Sequence, residues 1–181
     1  MVIEGTVCRL RPWRTSDAPA LVELANNLNI ARNMTGGFPH PYTSGHAESW
    51  VAQCRDPIFC ERMFAIEHDG QLAGGIGYSQ QSDIHIYTAD VGYWLGEAFW
   101  GRGIATDAVR VFVRHVFAAS RLRRLEARIY AWNPASARVL EKAGFTLEGR
   151  LRDAVCRFDE FTDALVFGLL REEVELGPDS R

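Results

Sequence analysis

The sequence is poor in cysteine, in long apolar runs and in charge of one sign, and each shortage closes off a class of function. Its four cysteines, Cys8, Cys54, Cys60 and Cys156, form no CxxC pair and have no histidine at metal-ligand spacing. No metal site is therefore expected, and the thiols read as reduced, cytoplasmic ones. No uncharged apolar run is long enough to span a bilayer, and the first residues lack a basic region followed by an apolar stretch, so neither membrane insertion nor export is expected. Net charge is only −3, with acids and bases interleaved, which argues against a nucleic-acid partner. Neither Gly-Lys-Ser/Thr nor a full GxGxxG occurs, so an ATP or dinucleotide fold fits poorly. Internal repeats are absent as well.

What is present suits one domain. A chain of 181 residues with 47% hydrophobic content can complete a single core, expected over residues 1–175, with 176–181 as a frayed tail. Residues 6–10 alternate like a strand, Pro12 breaks it, and Thr15, Ser16 and Asp17 offer caps for a helix over 18–28. The Gly- and Pro-rich stretch 35–45 reads as a loop, from which Thr43 or Ser44 caps a helix carrying Trp50 and Val51. Two short apolar runs, 63–67 and 72–78, flank Asp69-Gly70 and predict a hairpin.

The second half alternates differently. A strand over 90–96 leads through glycines to a helix over 107–119, followed by a strand over 125–131. A helix opened by Asn133-Pro134 ends at Gly144, and strand patterns resume at Phe145 and over 161–169. Hairpins mixed with strand-loop-helix-strand units predict an α/β sheet of mixed direction.

One segment suggests chemistry. Gly101-Arg102-Gly103-Ile104-Ala105-Thr106 stands where a strand gives way to a helix. Its backbone N–H groups can converge on an anion, the helix dipole adds positive potential, and small residues let a phosphate approach. An isolated GxGxA equally suits a plain change of direction.

The residues around it make the pattern specific. The run from Tyr93-Trp94-Leu95 through Glu97 and Trp100 to Thr106 resembles the acetyl-CoA pyrophosphate motif of the GNAT superfamily. The run from Asn133 to Phe145 resembles the second cofactor motif. Leu147 to Ala154, together with Leu10-Arg11-Pro12-Trp13 and the stretch 161–167, is similar to the ribosomal-protein N-terminal acetyltransferases of that superfamily. Nearly the whole chain is covered.

The resemblance implies a GNAT fold: a mixed, mostly antiparallel central sheet of about seven strands, splayed between the fourth and fifth and flanked by helices. It implies acetyl-CoA as cosubstrate and a primary amine as acceptor, from a protein N-terminus or a small molecule. The amides of Arg102, Gly103, Ile104, Ala105 and Thr106 would hold the diphosphate, and Tyr93, Trp94 and Leu95 would border the pantetheine arm, with Asn133 opposite. A Leu95 amide could meet the thioester carbonyl. Arg102 and Arg138 are candidates for cofactor phosphates.

Two departures from the family pattern matter. Trp100 replaces the usual glutamine or arginine ahead of the glycines, and Leu140 replaces the tyrosine acid of many members. Ser136 then matches the serine that the ribosomal-protein branch uses to protonate the departing thiolate, although a first-turn serine also suits helix capping. Glu61 and Glu97 are alternative bases, acting through water. Trp13, Trp50, Phe38, Pro39, Pro41 and Tyr42 lie where the family builds its acceptor pocket, about half of them as core. A homodimer is expected by analogy. The competing expectation is a non-catalytic acyl-CoA-binding module.

Overall fold

The hairpin at Asp69-Gly70 forms for the expected reason. The computed structural model, which describes residues 1–175, puts both residues at positive φ, 49° and 76°. That mirror-image turn matches the twist of the strands it joins, β3 (Met63–His68) and β4 (Gln71–Gln80). The tail expected at 176–181 lies outside the described residues. Among those residues no helix is long and apolar enough to cross a membrane.

Among the described residues eight strands follow the order β1-β2-β3-β4-β5-β6-β8-β7. They are β1 (Ile3–Glu4), β2 (Arg9–Arg11), β3, β4, β5 (Thr88–Leu95), β6 (Arg124–Tyr130), β7 (Thr146–Arg157) and β8 (Glu160–Leu170). The strand beyond the expected seven is the two-residue β1. Pairing is antiparallel for β1-β2, β2-β3, β3-β4, β6-β8 and β8-β7, and parallel for β5-β6. The parallel register runs from Thr88↔Arg124 to Asp90↔Glu126, whereas β5 continues to Leu95 and β6 to Tyr130. Leaving β1 out of the count, these are the fourth and fifth strands, where the splay was expected.

Helices α1 (Ala18–Ala25), α2 (Leu28–Ala31), α3 (Ser44–Cys54) and α4 (Pro57–Cys60) precede β3, α5 (Ile104–Ala119) joins β5 to β6, and α6 (Pro134–Lys142) joins β6 to β7. Contacts divide the chain into two units, one of Met1–Gly77 with Tyr93–Ala108, the other of Tyr78–Gly92 with Val109 onward.

The first unit holds an aromatic core. Trp13, Tyr42 and Trp94 are buried with Leu21, Ile30 and Val51, and Phe38, Trp50 and Met63 pack partly buried against them. Of the six residues expected near an acceptor pocket, Trp13 and Tyr42 are core, while Phe38, Pro39 and Trp50 are half-buried and Pro41 is exposed. Gly75 makes room for the indoles, since a Cβ there would meet Trp13 at 2.9 Å and Trp94 at 3.0 Å.

Beside this core lies a buried ionic knot. The Arg11 guanidinium donates to both carboxylate oxygens of Asp17 at 2.8 Å and, through Nε, to Glu67. Arg11 and Glu67 are each only 3% exposed. Burial pushes the Glu67 carboxyl up, but bonds from Arg11 and Arg9 outweigh that and hold it below the usual range. Paired in this way, the charges tie β2 to β3 and to the turn Thr15–Asp17.

The second unit reads more simply. Phe112, Val113, Val116 and Phe117 are buried at helical spacing on α5. Leu125, Ala127 and Ile129 are buried at alternate positions on β6. Helix α6 ends at Gly144, φ 97°, with Phe145 N–H bonded to Leu140 O and Gly144 N–H to Glu141 O, a double closure that a left-handed glycine permits. The β7-β8 turn uses Phe158 and Asp159 at φ 52° and 62°, a mirror-image turn without glycine.

Two local expectations are corrected. Residues 6–8 form a turn between β1 and β2 rather than a strand, because Gly5 N–H bonds to Cys8 O at 2.8 Å and the amides of Val7 and Cys8 donate to Asp107. The helix expected over 18–28 stops at Ala25. The Asn26 side chain accepts from Tyr42 N–H at 3.0 Å, and the Asn27 side chain caps α2 by accepting from Asn29 N–H at 2.8 Å.

Candidate functional site

The mouth of α5 is built from two left-handed glycines. Gly101 and Gly103 have φ 75° and 78°, conformations that side chains other than glycine's strain to adopt. No atom stands within 4 Å of where a Cβ would sit at either, so the loop's surface is open. The first bond of helical spacing runs from Asp107 N–H to Gly103 O, 3.0 Å. The amides of Ile104, Ala105 and Thr106 therefore precede the intrahelical ladder and have no acceptor within it. The helix starts three residues earlier than the sequence pattern suggests, because Gly103 itself serves as the capping position.

Behind this mouth sits a carboxylate that the sequence did not single out. Asp107 Oδ2 accepts from Val7 N–H at 2.7 Å and Cys8 N–H at 3.1 Å, with the Cys8 thiol at 3.4 Å. Burial raises the Asp107 carboxyl, yet the Val7, Thr6 and Cys8 donors prevail and hold it below the usual carboxylate range. Gly5 is required by the approach, since a Cβ there would stand 2.5 Å from that oxygen. An acid in a helix's first turn is common, and nothing local points to a partner a hundred residues away.

The Cys8 thiol is pushed up to about 12 by burial and by the Asp107 charge, and burial takes Cys54 to about 12 as well. Both remain protonated near neutrality, so neither is an activated nucleophile.

The remaining predicted residues of the first unit surround the end of β5. Tyr93 is half-buried, whereas Trp94 and Leu95 are buried. Trp100, 45% exposed, donates its indole N–H to Leu95 O at 2.9 Å. Arg102 is exposed, its guanidinium 5.9 Å from the Phe99 ring.

The two glutamates differ. Glu97 opens the turn Glu97–Phe99 after β5, and its carboxylate accepts from Asn27 Nδ2 at 2.6 Å and Asn29 Nδ2 at 3.3 Å. Those bonds, Asn27's first, hold its carboxyl below the usual range. Glu61 stands exposed in the turn between α4 and β3, at the strand entry where it was expected.

In the second unit Asn133 caps α6. Its Oδ1 accepts from Ser136 N–H at 3.2 Å, and Pro134 occupies the first helical position. Capping is thus done by Asn133, while Ser136 is a half-buried third helical residue and Arg138 is exposed. Among the described residues no group of three or more His, Cys, Asp or Glu could hold a metal ion.

Comparison with known proteins places this arrangement. Residues 8–146 match the family model of the acetyltransferase (GNAT) domain. The N-acetyltransferase p20 of Bacillus licheniformis is 35% identical over 175 residues, 91% of this chain and 93% of that one. The ribosomal-protein-serine acetyltransferase of Escherichia coli is 32% identical over 106 residues, 59% of each chain. Among solved structures, Mycobacterium smegmatis RimJ in complex with CoA-disulfide superposes with a TM-score of 0.83 at 27% identity, covering 99% of this chain and 90% of that one. The chain belongs to the GNAT family of N-acetyltransferases, enzymes that take their acetyl group from acetyl-CoA.

Proposed function

We propose that this N-acetyltransferase acts on the α-amino group of a protein or peptide, and that residues 1–175 work as one catalytic domain. The observation that carries the reading is the mouth of α5, where two left-handed glycines with open space about them precede first-turn amides that have no acceptor within the helix. Such a mouth suits a diphosphate, which needs several converging N–H donors and the positive end of a helix dipole.

Acetyl-CoA supplies the activated acetyl thioester. The amides of Arg102, Gly103, Ile104, Ala105 and Thr106 grip its diphosphate, with the Arg102 and Arg138 guanidinium groups as phosphate partners. Tyr93, Trp94, Leu95 and Asn133 line the pantetheine arm. The acceptor amine attacks directly, with no acetyl-cysteine stage, in keeping with buried thiols that stay protonated. As the C–S bond breaks, Ser136 gives its hydroxyl proton to the leaving thiolate and regains one from water. Glu61 receives the amine's proton through water, whereas Glu97, weakened as a base by its two asparagine donors, orients α2.

An α-amino acceptor fits the modest base. Its pKa is about 8 against about 10.4 for lysine, so a useful fraction is already neutral near pH 7. The similarity to an enzyme named for a ribosomal-protein serine points the same way. The proposal extends to a cytoplasmic homodimer with no nucleic-acid or membrane partner, which cell fractionation and light scattering test.

A non-catalytic acyl-CoA sensor would keep the glycine mouth and dispense with Ser136. Purified protein with acetyl-CoA and a panel of peptides differing in their first residue decides between them. Release of free thiol dependent on a peptide's free N-terminus is expected; cofactor binding with no thiol release by any peptide would overturn the reading.

A further inference from the structure

The last peptide of β5 is held from several sides. Gly96 N–H donates to Ala73 O on β4 at 2.8 Å, while Leu95 C=O, the other end of the same peptide unit, accepts from the Trp100 indole at 2.9 Å. Beneath it, Gly74 lies so close that a Cβ would stand 2.1 Å from Trp94 O. Between the strand and Trp100 the chain makes one tight turn, with Phe99 N–H bonded to Gly96 O and Trp100 N–H to Glu97 O. Immediately after Trp100 comes Gly101 at φ 75°. Trp100 therefore belongs to the glycine loop by its backbone and to the strand end by its side chain.

The Leu95 carbonyl belongs to a residue only 7% exposed and so needs a donor, but an ordered water could serve it as well as a side chain does. A tryptophan left 45% exposed for that bond is thus an expensive choice unless the orientation of the peptide matters. The indole N–H removes the freedom that water would leave.

We propose that Trp100 is a positioning residue for acetyl transfer: it locks the Leu95–Gly96 peptide to the glycine loop, so that the strand end and the helix mouth keep a fixed mutual geometry. This rests on the reading that residues 102–106 hold the diphosphate and that β5 borders the thioester arm.

The experiment compares Trp100→Phe, which keeps a ring and loses the N–H, with Trp100→Gln, which restores a donor at similar reach. Because the side chain is half outside, both variants fold, as thermal unfolding verifies. Loss of one such bond at the reacting end lowers kcat about threefold to tenfold in Trp100→Phe, with the Kd for coenzyme A unchanged within about twofold, and Trp100→Gln recovers most of kcat. Wild-type kcat in Trp100→Phe would overturn the inference. So would equal impairment of both variants, or a Kd that rises in step with the loss of kcat, since the ring would then be a cofactor contact. Failure of the underlying reading is separate: it would appear as Gly103→Val binding coenzyme A as tightly as the wild type does.

Discussion

Two helices of this protein follow strands of the same sheet and open in contrasting ways. Helix α6 is closed at its head by its own sequence: Asn133 Oδ1 takes the Ser136 amide and Pro134 removes another donor. Helix α5 is entered through two glycines in left-handed conformation, and its first amides have no acceptor within the helix. The acid in its first turn, Asp107, binds the amides of residues 6–8. A helix mouth can satisfy its donors locally or leave them for a ligand, and the proposed diphosphate site lies at the one whose own side chains do not cap it.

The largest effect should come from the closed mouth. If Ser136 serves as the acid, Ser136→Ala lowers kcat by about a hundredfold with the Kd for coenzyme A unchanged, because general acids contribute on that order. Stopped-flow thiol release and calorimetry measure the two quantities. A parallel loss of binding would instead make the residue a cofactor contact.

The open mouth responds in the opposite sense. Valine at position 103 must strain at φ 78° or reorient the amides beyond it, so Gly103→Val should weaken coenzyme A binding by about thirtyfold. Gly144→Ala, also at a left-handed position but at the far end of α6, should cost about 1 kcal/mol of stability and leave that Kd alone.

Asp107→Ala should destabilise the protein by about 2 kcal/mol in urea titrations at neutral pH, since charged acceptors of backbone amides contribute on that scale. The folded carboxyl lies below its usual range, so its contribution is complete above an unfolded pKa of about 3.9 and is lost as pH falls through the lower folded value. The gap between wild type and variant should therefore narrow on acidification below about pH 4. A gap independent of pH would show that packing, not the carboxylate, holds residues 6–8.

The smallest effect is expected at the cap. Asn133→Ala should cost about 1 kcal/mol, and Asn133→Ser should restore most of it. If both variants unfold like wild type, the head of α6 is held by tertiary contacts instead.

Much of this contrast was legible in the residues. Asn133-Pro134 announced one helix start, Gly144 its end, and the glycines at 101 and 103 an unusual beginning for another. The Asp69-Gly70 turn fixed a hairpin in the same way. What escaped was non-local. Residues 6–8 alternate like a strand but give their amides to Asp107. The helix starting at Ala18 breaks at Asn26 and Asn27, whose side chains answer Tyr42, sixteen residues on, and Glu97, seventy residues on. The turn at Phe158 and Asp159 carries no glycine, so no local signal marked it.

The division follows from the range of the forces involved. Dihedral preferences and capping act within one turn of chain, so the sequence alone determined where α6 opens and closes and that α5 opens on glycine. Hydrogen-bond acceptors are chosen among everything that folding brings near. Only the tertiary structure decided that a tryptophan would hold the end of β5 and that an acid at the head of α5 would take the amides of residues 7 and 8.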